Sequence, residues 1–178
     1  MKNDVKEIGK SVIELQIRAL KKLKHSINDT FDKAVRAIAK CKSKIIICGV
    51  GKSGIIASKI SATLSSIGTP SFSISASDCS HGDLGRITKN DIIILISNSG
   101  NTSELTNIIE YAKKNKILLI GIMSNRESNL YRSSNIKLLI PEVKESGFGI
   151  VPTSSTTVAM SIGDALAIAL MKKNKFGK

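Results

Sequence analysis

The sequence predicts an α/β protein in which a parallel β-sheet lies between two layers of helices, a three-layer sandwich. Continuous apolar runs occur at residues 44–50, 91–97 and 117–123, and stretches with helical spacing of apolar residues separate them. A strand that is apolar at every position is buried on both faces, which is typical of a parallel sheet covered by helices on each side. The alternation of strand and helix along the chain favours the same class.

The strand and helix signals continue in order along the chain. After the first strand, a helix is expected from Ser53 to about Ile67, an amphipathic helix over residues 102–114, and a short helical piece near residues 127–132. Residues 154–173 predict a long, very apolar helix that we expect to be buried. The predicted strands are residues 44–50, 71–75, 91–97, 117–123 and 136–141.

Two further helices are predicted before the first strand, within residues 1–43. Apolar residues recur at intervals of three and four from Val5 to Leu23, and again from Ile27 to Ile38. A small core does not need both helices. They are therefore expected either to form a subunit interface or to pack on the domain itself.

Length and cysteine content indicate one domain in a reducing compartment. The chain has 178 residues, of which 42% are hydrophobic, and no linker, which predicts a single domain over residues 1–178 with an α/β core at 44–173. Cys41, Cys48 and Cys79 form no Cys-x-x-Cys pair, which indicates reduced thiols of a cytoplasmic protein. The N-terminus has no apolar signal segment. Two histidines and scattered cysteines leave little material for a zinc site, so no metal is expected.

Charge and aromatic content limit the classes of partner. The chain carries 27 basic and 14 acidic residues, a formal net charge of +13, and a basic surface attracts nucleic acid, acidic lipid or phosphorylated metabolites. Aromatic residues make up 3% of the chain and tryptophan is absent, so the stacking platforms of single-strand nucleic-acid binders are missing. No apolar run reaches the length of a membrane span. We expect a small phosphorylated molecule as partner, and neither nucleic acid nor a membrane.

The turn after the first strand, GVGKSG at residues 49–54, nearly fits two phosphate-binding motifs. A Walker A loop would need a glycine where Ile46 stands, so that motif fails. The dinucleotide pattern Gly-x-Gly-x-x-Gly fits, but residues 70–76 supply no acidic residue at the end of the next strand. The remaining interpretation is a tight glycine turn at a helix start, with Lys52 and Ser53 facing a ligand.

The segment after the third predicted strand, SNSGNTSE at residues 97–104, carries a more specific signal. A helix N-terminus offers free N–H groups and partial positive charge, and Ser97, Ser99 and Thr102 would add hydroxyl donors around it. Gly100 permits a close approach. Together these features predict a phosphate cradle without a metal. The alternative is that Thr102, or the serine after it, simply caps the helix.

These motifs resemble the sugar isomerase (SIS) domain family, and most closely its arabinose-5-phosphate isomerase branch. The resemblance covers roughly residues 45–171. HGDLG, with the pairing of Lys52 and His81, distinguishes this branch from other SIS domains. The matching segments are GVGKSG (49–54), GTPSF (68–72), HGDLG (81–85), ISNSG (96–100) with Glu104, PTSSTT (152–157) and GDALAIAL (163–170).

The resemblance implies the SIS fold, a five-stranded parallel sheet, and a phosphosugar site partly shared between subunits of a homo-oligomer, a dimer or a tetramer. It implies the interconversion of ribulose 5-phosphate and arabinose 5-phosphate through an enediol. That reaction feeds the synthesis of 3-deoxy-manno-octulosonate and of lipopolysaccharide. The resemblance implies that turnover needs neither a cofactor nor a metal.

Site residues also follow from the resemblance. Glu104 and Glu145 match catalytic carboxylates, and which of them is the base stays open. Lys52 would pair with the phosphate or stabilise the enediolate, and His81 would contact a hydroxyl or shuttle a proton. The alternatives are a surface charge for each carboxylate and a structural role for His81. The implied phosphate-binding residues are Gly51, Ser53, Ser97, Asn98, Ser99, Gly100, Thr102 and Thr153.

The sequence departs from that branch in three places. Two CBS modules and a His-Pro-Gly run usually follow the last helix, and the sequence to Lys178 contains neither. The loop around Glu145 is slightly shorter than usual. These departures leave the expected fold and phosphate binding unchanged, and they make turnover depend on the remaining groups.

Two other functions stay open from the sequence. One is a different SIS isomerase, acting on a hexulose 6-phosphate or a heptulose 7-phosphate, although HGDLG argues against it. The other is a non-catalytic phosphosugar sensor. Regulators of that type carry an N-terminal DNA-binding domain, whereas residues 1–43 show no clear helix-turn-helix.

Overall fold

A five-stranded parallel sheet forms the centre of the fold. The computed structural model describes residues 4–79 and 82–174. The strands are β1 Ile45–Gly49, β2 Ser71–Ser75, β3 Ile92–Ile96, β4 Leu118–Met123 and β5 Ile136–Leu139. Their spatial order is β2-β1-β3-β4-β5, and each neighbouring pair is parallel. The predicted strands and their parallel arrangement are confirmed.

Helices cover both faces of the sheet. They are α1 Val5–Ser26, α2 Asp29–Lys40, α3 Lys52–Ser66, α4 Ala76–Cys79, α5 Thr106–Lys114, α6 Asn129–Ser133 and α7 Ser154–Lys173. α3 contacts β1, β2 and α7, and both α1 and α2 contact α7 as well. α5 contacts β4 and α6. The result is the predicted three-layer sandwich.

The side chains of the sheet alternate between two separate apolar clusters. Ile45 and Ile47 of β1 belong to the cluster formed with α1, α2, α3 and α7, whereas Ile46 and Cys48 belong to the cluster formed with α5 and α6. Every residue of β1 and of β3 is buried. Because helices cover both faces of the sheet, the strands have no solvent-facing positions that would favour polar residues. This explains the continuous apolar runs in the sequence.

The first helix combines packing on the domain with an exposed apolar surface. It begins after Asp4, whose side chain caps the first turn. Its C-terminal half packs on the domain, with Ala19 and Leu23 buried in the cluster that contains α7. Its N-terminal half leaves Val5 and Ile13 exposed by 80% and 59%. α1 therefore both packs on the domain and presents apolar side chains to the outside.

The very apolar segment 154–173 is α7, and it lies in the core as predicted. Val158, Ile162, Leu166 and Leu170 follow at intervals of four residues and are all buried. Among the described residues, α7 is the helix long and apolar enough to span a membrane by length and composition, and half of that stretch is buried inside the protein. The buried stripe accounts for its apolar character as a core helix.

Two predicted helices differ in extent from those observed. The segment 102–114 is a 3-10 turn at Ser103–Leu105 followed by α5. The Leu105 N–H donates to the Thr102 carbonyl at 3.2 Å, three residues back, so the chain is wound more tightly before the α-helix begins. α6 begins slightly later than predicted because the side chain of Ser128 caps it.

A buried carboxylate fastens the start of β3 to the start of β1. Asp91 is 2% exposed. It accepts hydrogen bonds from the Ser43 hydroxyl at 2.5 Å and the Thr88 N–H at 2.6 Å, and it pairs with the Lys44 ammonium at 3.0 Å. Burial raises the pKa of Asp91, but the hydrogen bonds from these three residues more than offset it, so its pKa lies below the ordinary value.

We expect Asp91→Ala to lower the free energy of unfolding by about 3 kcal/mol, because it leaves buried donors and the Lys44 ammonium without an acceptor. Urea unfolding at neutral pH measures this. The control Asp32→Ala removes an exposed ion pair with Arg36 and should cost less than about 1 kcal/mol. Because the pKa of Asp91 is lowered, its contribution should be present above about pH 4 and be lost as the pH falls further. Equal losses in the two variants would contradict this role.

Candidate active site

The carboxyl ends of β1, β3 and β5 open into one cavity of about 380 Å³. Its walls come from the turn after β1, the loop after β3, the segment between β5 and α7, and the first turns of α7. The carboxyl ends of parallel strands meet at one edge of a sheet, which brings these distant segments together. The lining residues are Val50, Lys52, Ser53, Ile56, Ile96, Asn98, Ile140, Glu145, Gly149, Pro152, Ser155, Thr156 and Ala159.

Three glycines shape the turn after β1. Gly51 has a φ of +57°, a conformation that side chains disfavour. A Cβ on Gly49 would lie 2.7 Å from the backbone of Ser53, and a Cβ on Gly54 would lie 2.9 Å from the Gly49 carbonyl oxygen. The Gly-x-Gly-x-x-Gly pattern therefore serves the close packing of α3 on β1, a local reason that requires no dinucleotide.

Lys52 and Ser53 occupy the first turn of α3 and line the cavity. Within the described part of the chain, no side chain caps the N-terminus of α3, so the positive end of its dipole lies beside the cavity. Gly51 lines a neighbouring hollow of about 390 Å³ on the β2 side, together with Ser58 and Ser73. The turn after β1 thus contributes to both spaces.

The loop after β3 is held by its own hydroxyl groups. Ser97 is 3% exposed, and its Oγ accepts the Gly100 N–H at 3.0 Å and lies 2.7 Å from Thr102 Oγ1. Gly100 has a φ of +68°, and a Cβ at this position would overlap Ser128. Two hydroxyls predicted to contact phosphate are thus paired with each other, and hydrogen bonds within the loop stabilise it.

The alternative in which Thr102 or Ser103 caps the following helix is not observed. Neither the 3-10 turn after the loop nor α5 has a side-chain cap among the described residues. The Ser103 hydroxyl donates instead to the Glu104 carboxylate at 2.9 Å. Ser99 Oγ accepts the Asn101 N–H at 3.3 Å. The polar run after β3 is therefore not explained by capping.

Glu145 lines the cavity and holds the N-terminus of α7. Its Oε2 accepts the Thr153 N–H at 2.7 Å, the Thr153 hydroxyl at 3.0 Å and the Ser154 N–H at 2.7 Å, and its Oε1 accepts the Ser155 N–H at 3.1 Å. Burial raises the pKa of Glu145, but the hydrogen bonds from Ser155 and Thr153 more than offset it. The pKa therefore lies below the ordinary value, and the group is ionised at neutral pH.

Glu104 stands apart from this cavity. Its side chain is exposed, and it is not among the described residues that line the cavity. Hydrogen bonds from its own backbone N–H and from the Ser103 hydroxyl lower the pKa of Glu104. Both predicted carboxylates are therefore ionised at neutral pH, and the cavity holds one of them.

The cavity brings together four of the predicted site residues, Lys52, Ser53, Asn98 and Glu145. They come from three separate segments that follow β1, β3 and β5. Thr153, predicted to bind phosphate, donates its N–H and its hydroxyl to Glu145. Ser97, Ser99, Gly100 and Thr102 stabilise the loop after β3 from within. His81 lies outside the described residues.

Three lining residues, Pro152, Ser155 and Thr156, were missed as site residues in the sequence. The signal for them was the segment PTSSTT at residues 152–157, a run of hydroxyl side chains at a helix start after the last strand. The same logic that selected the loop after β3 applies to this segment. Its proximity to Glu145 depends on the tertiary fold.

Thiol chemistry is disfavoured at two of the three cysteines, Cys48 and Cys79. Burial raises the pKa of Cys48 to about 12 and that of Cys79 to about 11. A thiol with so high a pKa stays protonated at neutral pH and is a poor nucleophile. Neither residue lines the cavity.

A comparison of the chain with models of protein families tests the relationship that the motifs indicate. The model for the SIS domain matches residues 37–169. The chain belongs to the SIS domain family. The matched range begins in α2 and ends in α7, so it contains the whole sheet and all the segments that line the cavity.

Curated relatives of this SIS chain include proteins named arabinose 5-phosphate isomerase KdsD. The protein from Yersinia pestis is 43% identical over 174 residues, which cover 97% of the SIS chain and 53% of the relative. The protein from Francisella tularensis is 46% identical over 168 residues, which cover 92% and 51%. The SIS chain therefore spans about half the length of the curated relatives it matches.

A solved SIS neighbour supports the same fold. It is an Escherichia coli CFT073 protein in complex with arabinose 5-phosphate, with 37% identity and a TM-score of 0.94. The alignment covers 100% of this SIS chain and 96% of that one. The fold class predicted from the sequence is thereby confirmed.

We expect Glu145→Ala to lower the free energy of unfolding by about 2 kcal/mol, because the first N–H groups of α7 lose their acceptor. Glu104→Ala is the matched control, and its unfolding midpoint should equal that of the unmodified protein because the carboxylate is exposed. Chemical denaturation at pH 7 compares them. Because the pKa of Glu145 is lowered, its contribution should be present above about pH 4.3 and be lost as the pH falls further. An unchanged midpoint for Glu145→Ala would rule out the cap.

Proposed function

We propose that the chain is an aldose–ketose isomerase that interconverts D-ribulose 5-phosphate and D-arabinose 5-phosphate through an enediol. The observation that carries the proposal is one cavity that combines the Lys52 side chain, the polar Ser53 and Asn98, and the ionised Glu145. The name of the KdsD relatives and the arabinose 5-phosphate bound in the E. coli neighbour support this substrate pair.

The proposed reaction consists of proton transfers alone. Starting from the aldose, a carboxylate removes the proton on C2, and O1 gains a proton as the enediol forms. O2 then loses its proton to become the ketone oxygen while C1 gains one, so that no electrons leave the sugar. A placed acid or base group contributes roughly 10²–10⁴-fold to such a step.

The phosphate of the substrate is proposed to lie between the start of α3 and the loop after β3. The N-terminus of α3 and the Lys52 ammonium both favour an anion there. Ser53 and Asn98 line the same space and can donate hydrogen bonds. The Lys52 ammonium can also stabilise the negative charge of the enediolate, which develops during the reaction.

We propose that the site is completed at a subunit interface of a homo-oligomer, a dimer or a tetramer. Glu104 is exposed and lies outside the cavity, so it needs a surface from elsewhere to enclose it. Phe148 is fully exposed next to Gly149 of the cavity wall, and Val5 and Ile13 of α1 are exposed as well. Exposed apolar side chains of this kind are typical of surfaces that contact another protein.

The cellular setting that fits this activity is the cytoplasm, where the product would supply 3-deoxy-manno-octulosonate and lipopolysaccharide synthesis. The unpaired thiols of Cys41, Cys48 and Cys79 suit a reducing compartment. We further propose that residues 1–178 act as one SIS unit, with α1 and α2 as its N-terminal extension.

The test is turnover by the 178-residue chain. Incubation with ribulose 5-phosphate, without added metal, should form arabinose 5-phosphate. Glu104→Gln should lower kcat by roughly 10²–10⁴-fold, because the amide cannot accept the carbon-bound proton. Chromatographic detection of the aldose measures both rates. Glu110→Gln, another exposed acid that lies on α5, is the control and should turn over normally.

Three outcomes separate the alternatives. If the chain binds both pentose phosphates without turnover, it is a phosphosugar sensor or an enzyme that lacks a catalytic group, and the proposal that this chain is an isomerase fails. Faster turnover of a hexulose 6-phosphate or heptulose 7-phosphate would assign a different SIS isomerase. Full activity in Glu104→Gln would remove Glu104 from the chemistry.

Light scattering after size exclusion at micromolar concentration should give two or four times the mass of one chain. Ile13→Glu should shift the mass toward the monomer, because it places a charge on an apolar surface that the interface would bury. Lys21→Glu on the same helix, an exposed polar position, is the control. A monomeric mass for the unmodified chain would contradict the shared site.

A further inference from the structure

A second cavity, of about 490 Å³, lies at the β5 edge of the sheet. It is formed by the turn between α1 and α2, the segment between β4 and α6, and β5 itself. It shares no lining residue with the candidate active site, and its volume falls in the range of small-molecule sites. Four basic side chains line it, those of His25, Lys33, Arg126 and Lys137.

These basic groups have no acidic counterpart in the cavity. None of the described residues that line it is Asp or Glu. Within the described residues, Lys33, Arg126 and Lys137 take part in no ion pair. The first turn of α2 carries Asp29 and Asp32, and Asp32 is bound by Arg36. Positive charges gathered around one cavity repel each other, and a bound anion relieves that repulsion.

Two contacts hold polar groups at the wall of the cavity. The Lys137 ammonium lies 5.3 Å from the centre of the Tyr131 ring, a cation–π contact that restrains the long side chain. Asn135 uses its Oδ1 to accept the Leu119 N–H at 2.8 Å, which leaves its NH₂ group as a donor. These side chains are therefore partly ordered in the free protein, so binding a ligand costs less conformational entropy.

We infer that this cavity is a second binding site, for a small anion of the phosphate class that carries at least two negative charges. Arg126 offers a planar guanidinium that matches two phosphate oxygens, and Lys33 and Lys137 add ammonium groups. In the described chain β5 pairs only with β4, so an acidic peptide could also add to its open edge. Charges that converge on one cavity, rather than being spaced along the strand, favour the small anion.

Isothermal titration calorimetry with inorganic pyrophosphate at low ionic strength tests the site in the 178-residue chain. Arg126→Ala combined with Lys137→Ala should weaken binding at least about tenfold, since each removes a charge-assisted hydrogen bond. Lys113→Ala combined with Lys114→Ala removes the same charge from the exposed last turn of α5, and binding should change less than about twofold. Pyrophosphate can also bind the proposed phosphate site beside Lys52, so each variant is titrated on a Lys52→Ala background, in which the remaining binding reports on this second cavity.

Several results would overturn the inference. They are an absence of pyrophosphate binding in the Lys52→Ala chain and an equal loss in the Lys113 and Lys114 control. Tighter binding of a hexaglutamate peptide than of pyrophosphate would assign the edge to a protein partner. Arg126→Lys combined with Lys137→Arg keeps both charges but exchanges the guanidinium and ammonium geometries, so it should weaken binding less than the double alanine variant does. Failure of that variant to bind, with its unfolding midpoint unchanged, would also count against the site.

Discussion

The carboxylate of Glu145 holds the first turn of the core helix α7, and with it one wall of the candidate active site. Its four hydrogen bonds join a loop residue to the Thr153, Ser154 and Ser155 positions. α7 packs on α1, α2 and α3, so the position of this turn is coupled to the larger of the two apolar clusters. Packing of the core therefore positions this wall of the cavity.

The opposite wall is stabilised by a different set of contacts. Backbone packing between Gly49, Ser53 and Gly54 sets the turn after β1, and hydrogen bonds between Ser97, Gly100 and Thr102 set the loop after β3. Both segments begin at the ends of strands that are buried at every position. The polar side chains of the site therefore stand on backbone that the core holds in place, which is what a phosphate site made of hydroxyl, amide and N–H donors requires.

The sequence was sufficient for the features that depend on local pattern. Continuous apolar runs located the strands, the rule for strand ends located Lys52, Asn98 and Glu145 at one edge, and the apolar spacing of 154–173 located the buried helix. The sequence was insufficient to predict hydrogen bonds of polar groups that have several possible partners. A serine hydroxyl such as that of Ser97 can bond a ligand or a neighbour with equal ease. Glu145 bonds N–H groups eight to ten residues away, and no periodicity records such a contact.

The protonation states of Glu104 and Glu145 indicate which group handles each proton in the proposed reaction. Hydrogen bonds lower the pKa of both Glu104 and Glu145, so each is a proton acceptor at neutral pH and neither has a proton to give at rest. A carboxylate can remove the proton from C2 and return it to C1, because these two transfers leave the carboxylate ionised again. The oxygen-bound proton has to move through another group, and among the described residues that line the cavity Lys52 carries an ammonium that can serve as that group. In the proposed reaction, the carbon-bound proton therefore belongs to a carboxylate, and Lys52 serves the oxygens.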